Sequence, residues 1–237
     1  SYVNRVWSYF FGVGIIEPVD DIRAGNPPVN PELLDALERR FIDSDFDFNG
    51  LVRTICRSAT YQMSFRSNRW NDDDATNFSH CVPRRLSAEQ LMEAVAVATG
   101  ITPRIAGLPE GSRPVDAPDG LIANDDFLKL FGRPKRDSAC ECARTNNLSL
   151  AHALSLVNGE TIHGAVVHPK GFVSQVVGSQ QDDREVVSAL YWAALCRAPT
   201  AVELETLGDL GGPEQRLETA QDLMWALINS PAFLFNR

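Results

Sequence analysis

Apolar residues recur at spacings of three and four along almost the whole chain, and no segment carries a convincing run of strict alternation. The first pattern gives a helix one apolar stripe; the second is what a half-buried strand needs. The chain is therefore expected to be all-α, an irregular multi-helix bundle with long loops and little or no sheet. Residues 2–11 place Val3, Val6, Trp7, Phe10 and Phe11 on one face, and Gly12 and Gly14 end that helix. Asn30 stands before Pro31, whose missing N–H costs nothing in a first turn. Leu33, Leu34, Leu37 and Phe41 then line one side. Asp47 opens a third helix. Ser87 with Gln90, and later Thr200 with Glu203, have the spacing of a capping box. Gly100 stops the first of these, Ser149 opens a helix through LAHALSLVNG, and Asp182 or Asp183 caps the run toward Cys196.

Two stretches interrupt the helical pattern. Residues 64–86 lack periodicity, and residues 101–124 form a long loop rich in Pro and Gly. Loops of that length usually serve a function or cover a surface. The chain reads as a single helical domain over 1–237, with 101–124 as the place where a subdomain division would fall. Because it starts at Ser1 inside an amphipathic pattern, it also reads as a fragment of a larger protein. The 22 basic and 31 acidic side chains give a net charge of −9. Such a surface repels phosphate backbones, and no dense basic stripe offsets it, so no nucleic acid is expected. No apolar run reaches the roughly 20 residues of a membrane span.

The residues with chemical potential are few. RDSACECAR holds Cys140 and Cys142 around Glu141, with Arg136 and Arg144 at its ends and Arg133 just before it. Two close sulfurs can be a disulfide, half of a tetrahedral metal shell, a redox pair, or inert thiols. The arginines would favour thiolate, bind an anion through paired hydrogen bonds, or simply pair with Glu141, Asp137 and other carboxylates. The five cysteines leave at least one thiol free or paired outside the chain, and Cys56 and Cys196 read as buried free thiols. Trp70 and Asn71 beside Asp72, Asp73 and Asp74 suggest a carbohydrate platform. The aspartates lack EF-hand spacing, so a solvated loop is preferred over a calcium site. Arg84 and Arg85 precede a helix start, where a surface ion pair is the ordinary role. Glu89 and Glu93 sit one turn apart and read as an exposed stripe. The histidines are scattered and form no HExxH motif.

Several stretches together resemble one family. They include NRVWSYFFGVGIIEPVDDIR, NPELLDALERRF, PRRLSAEQLMEAVAVATG, the segment around CEC, LYWAALCRAPTAVELE and WALINSPAFLFNR. In this order they resemble the C-terminal domain of unknown function of planctomycete-type secreted proteins that also carry a cytochrome-c-like domain. This chain departs from that pattern at Ala143, Ser155 and Arg237, which stand where the family tends to have an acid and two histidines. The resemblance implies an extracytoplasmic setting and a haem in an upstream domain, with no cofactor in this fragment. An oxidising setting favours a disulfide, between Cys140 and Cys142 or from one of them to Cys81. The upstream domains of the same chain are the expected partners, with an anionic polysaccharide or an envelope protein beyond them. The domain is expected to be a non-catalytic structural or binding module. The alternative is a redox or carbohydrate-active domain that uses the Cys140/Cys142 loop.

Overall fold

The computed structural model describes residues 1–102, 104–105, 108–116, 126–133, 159–180 and 182–236. These residues are mostly helical, with one two-stranded pairing, so the all-α expectation holds. They divide into two compact units, one over residues 1–84 and one over 85–236. Each has an apolar cluster of its own.

The first unit packs α1 (Tyr2–Phe11), α2 (Pro31–Asp43) and α3 (Phe48–Cys56) on one another. The stripe foreseen on α1 supplies Val3, Val6 and Trp7 to the cluster; Leu34, Leu37 and Phe41 come from α2, and Leu51 and Ile55 from α3. Fully burying one such side chain stabilises by roughly 1.5–3 kcal/mol. The Asn30 carboxamide oxygen accepts the Leu33 N–H at 2.9 Å, as an N-cap should. Gly12 ends α1 in the left-handed region, at φ 81°. One buried residue on α1 is polar. Asn4 is fully buried and ties the strap after α1 to the helix. Its amide donates to the carbonyls of Ile16 and Val19, and its oxygen accepts the Ile16 N–H.

In the second unit, α4 (Ala88–Thr99), α5 (Asp126–Leu130), α6 (Glu160–Val166), α7 (Phe172–Ser179), α8 (Asp183–Leu195), α9 (Ala201–Leu207), α10 (Arg216–Ile228) and α11 (Pro231–Leu234) follow in order. The cluster is centred where α8 meets α10 and α4, through Leu91, Met92, Leu190, Met224 and Ile228. The strand β1 (Arg84–Arg85), whose second residue opens this unit, pairs with β2 (Phe235–Asn236). Alongside it the Leu86 N–H donates to the Leu234 carbonyl at 3.0 Å. Both capping boxes form, Ser87 with Gln90 and Thr200 with Glu203. Gly100 closes α4 at φ 68°. Asp182, rather than Asp183, is the N-cap of α8. The helix expected after Ser149 lies outside the described residues up to Asn158.

Two expectations change. Residues 160–166, which carry no side-chain cap, form a helix that the pattern did not announce. Cys196, read as buried, is exposed: it caps α8 in the left-handed region at φ 53°, which turns its side chain away from the apolar face.

Candidate functional site

The polar constellation with the most unusual placement lies in the second unit, at the start of α4. Glu89 and Arg133 face each other, with Arg133 Nε 3.8 Å from Glu89 Oε1, and their side chains are 9% and 2% exposed. At that distance the contact is an ion pair rather than a hydrogen bond. The exposed stripe expected of Glu89 and Glu93 is therefore corrected. Glu93 is part-exposed and lies 3.9 Å from Arg113, while Glu89 is buried. The physical reason is local: α4 presents Ala88, Leu91 and Met92 inward, and Glu89 shares that side at the first turn, where Arg133 meets it.

A turn through Phe131 and Gly132 leads into Arg133. The Arg133 N–H donates to the Leu128 carbonyl at 2.9 Å, closing the turn after α5, and Gly132 there has φ 85°. Arg85 reaches the same turn. Its Nη2 donates to the Phe131 carbonyl at 3.1 Å, and its guanidinium lies 5.4 Å from the Phe131 ring centroid. Thus Arg85 holds the turn that carries Arg133, and both were candidates from the sequence. Arg136, Cys140, Glu141, Cys142 and Arg144 lie outside the described residues.

Arg84 has a different task. It belongs to the first unit and donates to the carbonyls of Tyr9 at 2.9 Å and Phe10 at 2.6 Å, satisfying the open end of α1. A Cβ on Gly12 would lie 2.5 Å from Arg84 Cδ, so the glycine makes room for that side chain. Burial pulls the pKa of Arg84 and of Arg85 below the ordinary value. In place of the surface ion pair expected before the N-cap, Arg84 makes these carbonyl contacts.

Trp70 and Asn71 share one loop in the first unit. Asn71 is a brace: its oxygen accepts the Asn68 N–H at 2.7 Å and its amide donates to the Ser79 carbonyl at 3.1 Å. Asp74 accepts N–H groups of Thr76, Asn77 and Ser79. These bonds, with the Ser79 side chain first, hold the Asp74 carboxyl well below the usual range.

Two further knots were not singled out from the sequence. Asp183 Oδ2 accepts the Leu210 N–H at 3.0 Å, and its Oδ1 accepts Arg216 Nε at 2.6 Å. Arg216 also donates to the Val177 carbonyl at 3.0 Å. One ion pair thereby links α7, α8, the loop before α10, and α10 itself. It borders an open groove of about 640 Å³ lined by Asp183, Arg184, Asp209 and Arg216 among others. At the α8–α9 corner, both Arg197 Nη atoms donate to Glu203 at 2.8 Å, and Glu203 also accepts the Thr200 N–H at 2.7 Å. The capping-box spacing marked Glu203; Asp183 was marked only as an alternative N-cap of α8, with no sign of Leu210 or Arg216 as its partners.

These carboxylates fix the acid limb of stability. Asp183 is held below its usual range by the Leu210 N–H first and then Arg216, and Glu203 by Arg197 first and then Thr200. A depressed folded-state pKa gives stability that is complete above the unfolded value and is lost as pH falls through the folded one. Unfolded values are about 3.9 for Asp and 4.3 for Glu. The melting temperature should therefore hold down to about pH 5 and fall below about pH 4. Thermal melts of Asp183→Asn should show a lower Tm at neutral pH and a shallower acid limb. An unchanged limb would remove Asp183 from this account.

Among the described residues, Cys56, Cys81 and Cys196 are free thiols, and no three His, Cys, Asp or Glu side chains form a metal-sized group. No described helix is long and apolar enough to cross a membrane. A family model described as "Protein of unknown function (DUF1553)", PSD1, matches residues 1–210. Among the curated proteins and among the solved structures, none matches the chain.

Proposed function

We propose that this chain, which belongs to the DUF1553 family of proteins of unknown function, is a non-catalytic structural or binding module of an exported, haem-containing envelope protein. The observation that carries the reading is the use made of the ionised side chains. Glu89 and Arg133 are buried against each other, Arg84 closes α1, Arg85 holds the Phe131 carbonyl, and Asp183 with Arg216 ties four segments together. Groups arranged for chemistry are poised toward a substrate; these are spent on the protein's own backbone and on each other. The extracytoplasmic setting and the upstream haem domain rest on the resemblance carried by PRRLSAEQL, CEC and WALINSPAFLFNR. The upstream domains of the same chain are then the first partners, with an anionic polysaccharide or an envelope protein beyond them.

The test uses the haem-bearing parent protein with Cys140 and Cys142 both replaced by serine. A scaffold role gives a lower melting temperature and unchanged kinetics of haem reduction. Loss of haem electron exchange in a protein that melts as before would replace this reading with a redox one.

A further inference from the structure

We propose that the loop from Ser67 to Ser79 is a stacking platform for a neutral glycan, with the Trp70 ring as its floor. The proposal rests on the binding half of the reading above and puts a neutral polymer in place of the anionic one. Trp70 is 79% exposed, more than any other large apolar side chain among the described residues. A lone exposed apolar residue needs no explanation; an exposed ring on a braced support is a different object.

The bracing is specific. The Trp70 N–H donates to Asn68 Oδ1 at 2.9 Å, fixing the backbone beneath the indole. Ser67 Oγ donates to Asp72 Oδ1 at 2.6 Å, and Asn71 and Asp74 hold the far arm through Ser79. Phe78, at φ 58°, anchors the loop edge-on against Trp7 and Phe11, with centroids 5.3 and 5.2 Å away. The Arg69 guanidinium lies 4.5 Å from the Trp70 centroid and steadies the ring from one side. A ligand settling on this indole would have little loop left to order, which removes one of the usual costs of binding.

The charges around the ring select the ligand. Arg66 and Arg69 precede the ring in the loop and Asp72, Asp73 and Asp74 follow it within four residues, in a chain of net charge −9. A nucleotide base would stack equally well on tryptophan, but its phosphates would meet these carboxylates. An apolar protein surface would bury the ionised Asp72 and Asp73 carboxylates with no cation to pair them, which is costly. A sugar ring suits both features. Its C–H face lies on the indole, and its hydroxyls donate to carboxylates and accept from the guanidinium. The carboxylates disfavour a uronate or a sulfated chain, which leaves a neutral polymer with flat pyranose faces.

The experiment is calorimetric titration of the intact chain with cellohexaose, xylohexaose and mannohexaose, with hexagalacturonate as the charged comparison. We expect at least one neutral hexasaccharide to bind. Trp70→Ala should weaken it by about tenfold or more, a difference of about 1.4 kcal/mol. Trp70→Phe should lie between, and Trp192→Ala, which removes an exposed indole of the second unit, should leave binding unchanged. Circular dichroism confirms the fold of each variant. The proposal is overturned if none of the neutral sugars binds, if binding survives Trp70→Ala, or if hexagalacturonate binds more tightly than all three. Haem kinetics are a separate readout, so either result can fail alone.

Discussion

Asn4→Ala is expected to lower the free energy of unfolding by about 4 kcal/mol, the largest single-residue loss we anticipate in the first unit. Asn4 is fully buried on the apolar face of α1, next to Val3 and Trp7. Its amide works as a short piece of sheet. It donates to the Ile16 carbonyl at 2.9 Å and accepts the Ile16 N–H at 2.9 Å, with a further bond to the Val19 carbonyl at 3.2 Å. Ile15 and Ile16 are themselves buried, so the strap cannot turn to water once the amide is gone. Of the three backbone groups orphaned, the two buried ones of Ile16, at about 1–3 kcal/mol each, set the size of the loss. Asn4→Asp should be at least as harmful, because a carboxylate would face two carbonyls. Asn4→Gln should also fail to rescue, because Gly14 is packed on the amide: a Cβ there would lie 2.9 Å from Asn4 Nδ2. Urea unfolding followed by far-UV circular dichroism measures the series. A loss below about 1 kcal/mol for Asn4→Ala would mean that the strap is held elsewhere.

What could be read from the residues alone divides along the same line as these interactions. Asn30, Ser87 with Gln90, and Thr200 with Glu203 were legible because a cap and the N–H it satisfies lie within four positions. Helix 160–166 was not, because Gly159 offers no cap side chain and the segment is short. Asn4 sat in plain view as a polar break in an apolar stripe, but its partners lie beyond a turn that local pattern does not describe. Arg84 looked like a surface charge because its acceptors, Tyr9 and Phe10, are 75 and 74 positions away. Cys196 followed the apolar rhythm of α8, yet the left-handed cap that ends the helix breaks the rhythm one residue early. The candidate set fared similarly. Trp70 and Asn71 were found together by adjacency, but the structure gives them opposite duties, one open and one a brace. Periodicity reports which face is apolar; it does not report which polar group will be carried inside with it.

Glu89→Ala is expected to cost about 3 kcal/mol, with the loss confined to the second unit. The sequence offers no way to tell Glu89 from Glu93, since both sit on α4 one turn apart. Arg133 makes the difference, arriving from the turn after α5 with its side chain only 2% exposed. Removing one member of a buried ion pair costs about 3–5 kcal/mol, because the other charge stays behind in low-dielectric surroundings. Arg133 is not held by Glu89 alone, which places the loss at the low end of that range. Glu89→Gln keeps the shape and removes the charge, so it should lose about half as much. The direction of the change also separates scaffold from reagent. Side chains kept for catalysis commonly hold stability below its optimum, so replacing them is often neutral or stabilising. A carboxylate that neutralises a buried guanidinium behaves in the opposite way. Denaturant midpoints for Glu89→Ala and Glu89→Gln, with the slopes checked for constancy, decide between the two. A midpoint at or above that of the parent protein would argue that Glu89 is reserved for chemistry, and the scaffold reading of this cluster would fail with it.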